Sequence, residues 1–208
     1  MTLSILALWH YTWISLYVDL NVLELAIGRE GPDLSRSTID YVDSWASSNE
    51  SLRCLLHAWL LQDYIVRMPT GPFFAIHIPR ILFSAAVIWH CFITYCPDDL
   101  SSTSGNHQTA NGLVGYIRPL PEVQIMTCER DESESWVGAF PAAAGIRFIN
   151  ESILRLQETL GSVSTQIKQQ TLYTIADVLR RSSSYGIASR MADIIEILLS
   201  HDMDDAEK

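Results

Sequence analysis

Charge is scarce in this chain, and basic charge is scarcest of all. Asp, Glu, Lys and Arg together make up 18% of the 208 residues, against about 25% in ordinary globular domains. Only 14 residues are basic against 24 acidic, a formal net charge of −10. No Lys/Arg cluster is denser than the pair Arg180-Arg181. The basic stripe that holds a phosphate backbone is therefore missing, which argues against direct nucleic-acid contact. Those two arginines read instead as a charge pair closing a helix C-terminus, where cations complement the helix dipole.

Reactive and metal-binding patterns are lacking too. The four cysteines (Cys54, Cys91, Cys96 and Cys128) form no CxxC. Cys91 and Cys96 fall in helical sequence, and five residues at about 100° each point them about 140° apart, so one face cannot offer both to a metal. They read as structural thiols of a reducing compartment. His10, His57, His77, His90, His107 and His201 form no HExxH and no zinc-spaced pair with cysteine. GxGxxG, the P-loop and GxSxG are all absent, and Gly112-Leu113-Val114-Gly115 lacks the further glycines of a phosphate cradle. No catalytic, cofactor-binding or metal-ligating residue is assigned. The apolar N-terminus, Leu3 to Tyr17, has no basic flank and no small-residue cleavage site, so it does not read as a signal peptide.

What the chain has is apolar and aromatic surface to bury. Hydrophobic residues make up 48%, with six Trp and eight Tyr, and the mean hydropathy is +0.13. That suffices for a sizeable core, with surface left over for a partner. The longest uncharged run, Ile81 to Pro97, is about 17 residues, the lower edge of a membrane span. His90 lies inside it and Pro79-Arg80 precede it, so it reads as a core helix, and no membrane association is expected.

Periodicity predicts an all-α protein: a multi-helix, bundle-like array with one long irregular linker. The expected divisions are a helical block at 1–97, an acidic linker at 98–140 and a second helical block of the same domain at 141–208. Gly28 and Gly31-Pro32 stop the first stretch. A helix follows from about Leu34 to Trp45, and Ser47-Ser48-Asn49 offers an N-cap for the next. That third helix carries Leu52, Leu55, Leu56, Trp59 and Leu60 on one stripe. Asp63 returns to the same face, as a buried carboxylate with a function or as the point where the stripe meets solvent. Thr70-Gly71-Pro72 ends this segment. Pro72 is placed at the first turn of the following helix, and Pro79 is expected as an interior kink.

The stretch from Pro97 to Phe140 is rich in Ser, Gly and Pro, with only weak strand-like pieces such as Val123-Gln124-Ile125-Met126. Its acidic run (Glu129, Asp131, Glu132, Glu134) beside Trp136 and Phe140 has two readings, a solvated loop or an activation-type segment. Asp98-Asp99 is similar to the acidic metal motifs of helical terpene synthases, but a helix-end turn is the simpler account. Beyond the linker, Ile146, Ile149, Ile153, Leu156 and Leu160 make two heptads, too few for a coiled coil. Leu172, Ile175, Ala176 and Leu179 mark one helix, and Ala188, Met191, Ala192, Ile195 and Leu199 the last. A solvated tail is expected from Asp202 to Lys208. Arg53 and His57, four apart on a helix flank, are placed to meet each other or a shared acid in a structural role.

Four stretches resemble one family. The first is Leu8-Trp9-His10 with Leu16 and Leu23-Glu24-Leu25-Ala26-Ile27-Gly28-Arg29-Glu30-Gly31. The second is Trp45-Ala46 with Arg53 and His57-Ala58. The third is the helix from Pro79 to Trp89, with Ala85 and Ile88-Trp89. The fourth is Tyr185-Gly186-Ile187-Ala188 with Ala192 and Leu198-Leu199. Together they resemble the C-terminal part of the regulatory region of fungal-specific transcription factors, the zinc-cluster and related zinc-finger regulators. The resemblance implies an all-helical, nuclear, non-enzymatic domain. Its expected partners are other proteins of the transcription machinery or a small effector, with homo- or heterodimerisation allowed for. In that family a separate N-terminal module reads DNA and holds zinc through cysteines. The cysteines here do not match that module, so neither zinc nor DNA is assigned to any residue, and the chain reads as a truncated product or a member that lost its DNA-reading part. The alternative from another class is a helical enzyme with an apolar cavity, such as a terpene-type cyclase, which would need Asp63, Asp98, Asp99 and Glu151 to converge.

Overall fold

Two helices carry almost no charge, and this decides where the others pack. The structure, a computed structural model, describes residues 3–66, 76–95, 165–182 and 186–206. Among them are seven helices and no strand, the all-α class expected. In chain order they are α1 (Leu3–Tyr17), α2 (Leu20–Ala26), α3 (Pro32–Ala46), α4 (Asn49–Val66), α5 (Ile78–Tyr95), α6 (Thr165–Arg181) and α7 (Gly186–Ala206). All lie in one unit of the chain. The linker and the Ile146–Leu160 seam fall outside the described residues.

α5 is the hub. It touches each of the other six helices, and from Ile78 to Phe92 every residue except Arg80 is buried. A helix buried on all sides must be apolar on all sides, which explains why it also has the length and hydropathy of a membrane span: 78% of that span is buried inside the protein. The expected kink at Pro79 does not arise. Pro79 is the second residue of α5, in the first turn, where a missing N–H breaks no helical bond.

The first stretch is two helices rather than one. Asp19, in an extended conformation, interrupts it and caps α2 by accepting from the backbone N–H groups of Asn21 at 2.9 Å and Val22 at 3.4 Å. A carboxylate there satisfies donors that would otherwise be orphaned, so the chain gains by starting a new helix. Gly28 and Gly31 close the far end with φ of +94° and +99°, a region costly for any residue with a Cβ. Pro32 then starts α3, two residues earlier than the expected helix, with its ring pre-set for the first turn.

α4 begins as its cap signal predicts: the Ser48 hydroxyl accepts from the Ser51 N–H at 3.3 Å. Leu52, Leu55, Leu56 and Leu60 are buried, but so are Cys54, His57, Ala58, Leu61, Gln62 and Ile65. The buried surface is broader than one stripe because α4 packs against α1 and α5 and also touches α3 and α6. α6 and α7 pair with each other and with α5. The predicted apolar positions of both are buried. Arg180 in the last turn of α6 reaches Asp193 at 3.1 Å and Glu196 at 2.6 Å on α7, an exposed network worth at most about 1 kcal/mol. Helix α7 continues to Ala206, so the backbone is helical through most of the segment expected as a tail.

Candidate functional site

Polar groups inside an apolar bundle must find partners, and two such centres stand out. The first joins α1 to α4. His10 Nδ1 and His57 Nδ1 are 3.0 Å apart and buried. Two identical atoms can share a hydrogen bond only if one ring carries its proton on Nδ1 and the other on Nε2. The ring that accepts is then neutral. Burial, with a smaller contribution from the neighbouring His57, pushes the His10 pKa down from 6.5 to about 3. Trp9 stands edge-on to both rings, at 4.9 and 5.6 Å. Trp13 stacks on His57 at 5.7 Å, and Tyr17 stacks on Trp13 at 5.9 Å. The Arg53 guanidinium lies over the Tyr17 ring at 5.0 Å. Arg53 and His57, four apart on α4, thus both reach aromatic or imidazole rings of α1.

The second centre ties α2 to α5. The Glu24 side chain is only 4% exposed. Arg29 Nη1 donates to Glu24 Oε2 at 3.1 Å, and Arg80 Nη2 donates to Glu24 Oε1. Arg29 is held in turn by Asn21 at 2.7 Å and Glu30 at 3.0 Å, and its backbone N–H donates to the Glu24 carbonyl at 3.1 Å. Each oxygen of the carboxylate therefore has its own guanidinium, the arrangement a buried anion needs. Both guanidiniums keep contact with water, so the centre is a clamp rather than an accessible acid.

Beside the first centre, the junction of α1 and α2 opens into a groove of about 600 Å³ lined by Tyr11, Leu16, Tyr17, Val18, Asp19 and Tyr41, among others. Tyr41 reaches in from α3, its hydroxyl accepting from the Asp19 N–H at 3.0 Å.

Both described thiols are buried. Cys54 Sγ lies 3.9 Å from the Ile14 carbonyl, and burial pushes its pKa up to about 12. Cys91 is also buried, 3.9 Å from the Leu23 carbonyl. Cys54, held protonated, is a poor nucleophile and a poor metal ligand. Cys96 and Cys128 lie outside the described residues, as do Asp98, Asp99, Glu151, the acidic run with Trp136 and Phe140, Gly112-Gly115 and His107. Of the four carboxylates that a cyclase would bring together, the described residues include only Asp63, half-buried near the end of α4. Among the described residues no three His, Cys, Asp or Glu side chains gather as a metal group.

Spacing could not have revealed these centres. His10 and His57 are 47 residues apart, and Glu24 and Arg80 are 56 apart. The available signal was weaker: a histidine on an otherwise apolar face at two positions, and a lone Glu and a lone Arg in helices with no other charge. No family model, no curated protein and no solved structure matches the chain.

Proposed function

We propose that the chain is a regulatory, non-enzymatic domain of a fungal transcription factor, acting in the nucleus by binding other proteins or a small effector, with DNA reached only through a separate module and with no membrane association. One observation carries the reading. Three of the four stretches that resemble the family are joined by buried polar contacts: His10 of the first with His57 of the second, and Glu24 of the first with Arg80 of the third. The resembling stretches thus pack as parts of one unit, as a single regulatory domain requires. The net charge of −10 supports binding of protein or effector over nucleic acid.

The test joins the full chain to an unrelated DNA-reading module upstream of a reporter. Output should change relative to the module alone. The chain by itself should not retain DNA, and tight binding with a steep salt dependence would overturn the reading. Substrate turnover abolished by changing one acid or imidazole would also overturn it.

A further inference from the structure

The α1–α2 groove has a chemistry that the regulatory reading does not use, and it stands apart from that reading. Asp19 is the one charged side chain lining it. Its carboxylate is fixed, because it also caps α2. Tyr11 and Tyr41 supply aromatic rings from two different helices, and Tyr41 is 41% exposed. Tyr17 is already engaged by Trp13 and by the Arg53 guanidinium, so it serves as a wall. Leu16, Val18 and Leu20 add apolar surface, and Ser15 and Asn21 add polar surface beside it.

We propose that this groove binds an organic cation, one whose charge sits on an alkylated nitrogen of the trimethylammonium type. Aromatic faces attract a cation through the ring quadrupole, and they do so best when the cation sheds water easily. A fixed carboxylate adds the counter-charge, and the acidic surface of the whole chain draws cations toward it. A hard metal ion is the wrong occupant, since it requires six or more oxygen ligands and the groove offers one carboxylate. An anion is repelled by Asp19. A neutral ligand of the same shape would leave that carboxylate unused.

The probe is choline chloride, titrated into the full chain at constant ionic strength and followed by NMR of the tyrosine ring signals. Its neutral isostere, 3,3-dimethyl-1-butanol, is the control. Saturable shifts of Tyr11 and Tyr41 with choline, and none with the alcohol, are expected. Asp19→Asn keeps the helix cap, because Asn caps as well as Asp. It should weaken choline about fivefold, the worth of one charge pair near 4 Å in a watery setting, and leave the melting temperature unchanged. Tyr41→Leu, on the exposed side of α3, should weaken choline by a similar factor and serves as a second variant should Asp19→Asn unfold. No saturable shift, an equal response to the alcohol, or wild-type affinity in both variants would each overturn the proposal.

Discussion

Acid should unfold this protein through His10 before most of its carboxylates are protonated. The folded state holds His10 neutral down to about pH 3, whereas an unfolded chain takes up a proton near pH 6.5. A depressed histidine binds more protons when unfolded, so its contribution is fully present above pH 6.5 and is lost as pH falls toward 3. The cost is about 1.4 kcal/mol per pH unit below 6.5, or about 2 kcal/mol at pH 5 and about 4 kcal/mol by pH 3. Against a typical total of about 5–15 kcal/mol, that is a large share from one ring. The assay is urea unfolding at a series of pH values between 7.5 and 4.5, comparing wild type with His10→Gln. The variant removes the titration and leaves an amide within reach of His57, and taking the difference cancels the carboxylates common to both chains. Wild type should lose about one more proton's worth of slope than the variant. Parallel curves, or a wild-type stability that rises on acidification, would refute the reasoning.

Two further outcomes follow from the interior. Glu24→Gln should cost about 1–3 kcal/mol, since both guanidiniums it releases can turn to water. The double variant Arg29→Met, Arg80→Met should cost more, about 3–5 kcal/mol, because it strands a buried carboxylate; urea midpoints that reverse this order would contradict the clamp. Cys54, with its thiol pKa near 12, should resist alkylation at pH 7.5 until the protein unfolds. Peptide mapping that finds it labelled in the native state as fast as a small thiol would refute its burial.

The elements were legible because helix signals are local. The Ser48 cap, the Gly31-Pro32 break and the apolar repeats of α4, α6 and α7 each lie within a few residues and act within one turn. Misreadings came where a local rule had two outcomes. Pro79 can kink a helix or start one, and only the placement of Ile78 at the first turn decides. Asp19 inside an apolar run can be tolerated or can cap a new helix, and the bonds to Asn21 and Val22 decide. The two polar centres were illegible for a different reason. A hydrogen bond between residues 47 positions apart leaves no periodic trace, and a single sequence records only that two unpaired polar residues sit on apolar faces. The groove was hidden likewise, since its tyrosines come from α1 and α3 and its carboxylate from the turn between helices.

These centres also answer a problem that the composition creates. α1 has no charged residue and α5 has one. Smooth apolar helices pack in several registers at similar cost, because burial is non-directional. Sliding α1 along α4 by one turn, about 5.4 Å, would part His10 from His57 and leave two imidazoles buried without each other, at about 1–3 kcal/mol apiece. Sliding α2 against α5 would take Arg80 from Glu24 and leave one oxygen of a buried carboxylate without its guanidinium, while Arg29 moves with α2. Each centre thus converts a tolerant apolar contact into one with a single setting. The groove depends on that setting, since Tyr11 and Tyr17 ride on α1 whereas Tyr41 rides on α3. Whatever the domain binds there, its shape is held by helix packing that these two centres fix at a distance and by the Tyr41–Asp19 bond within the groove.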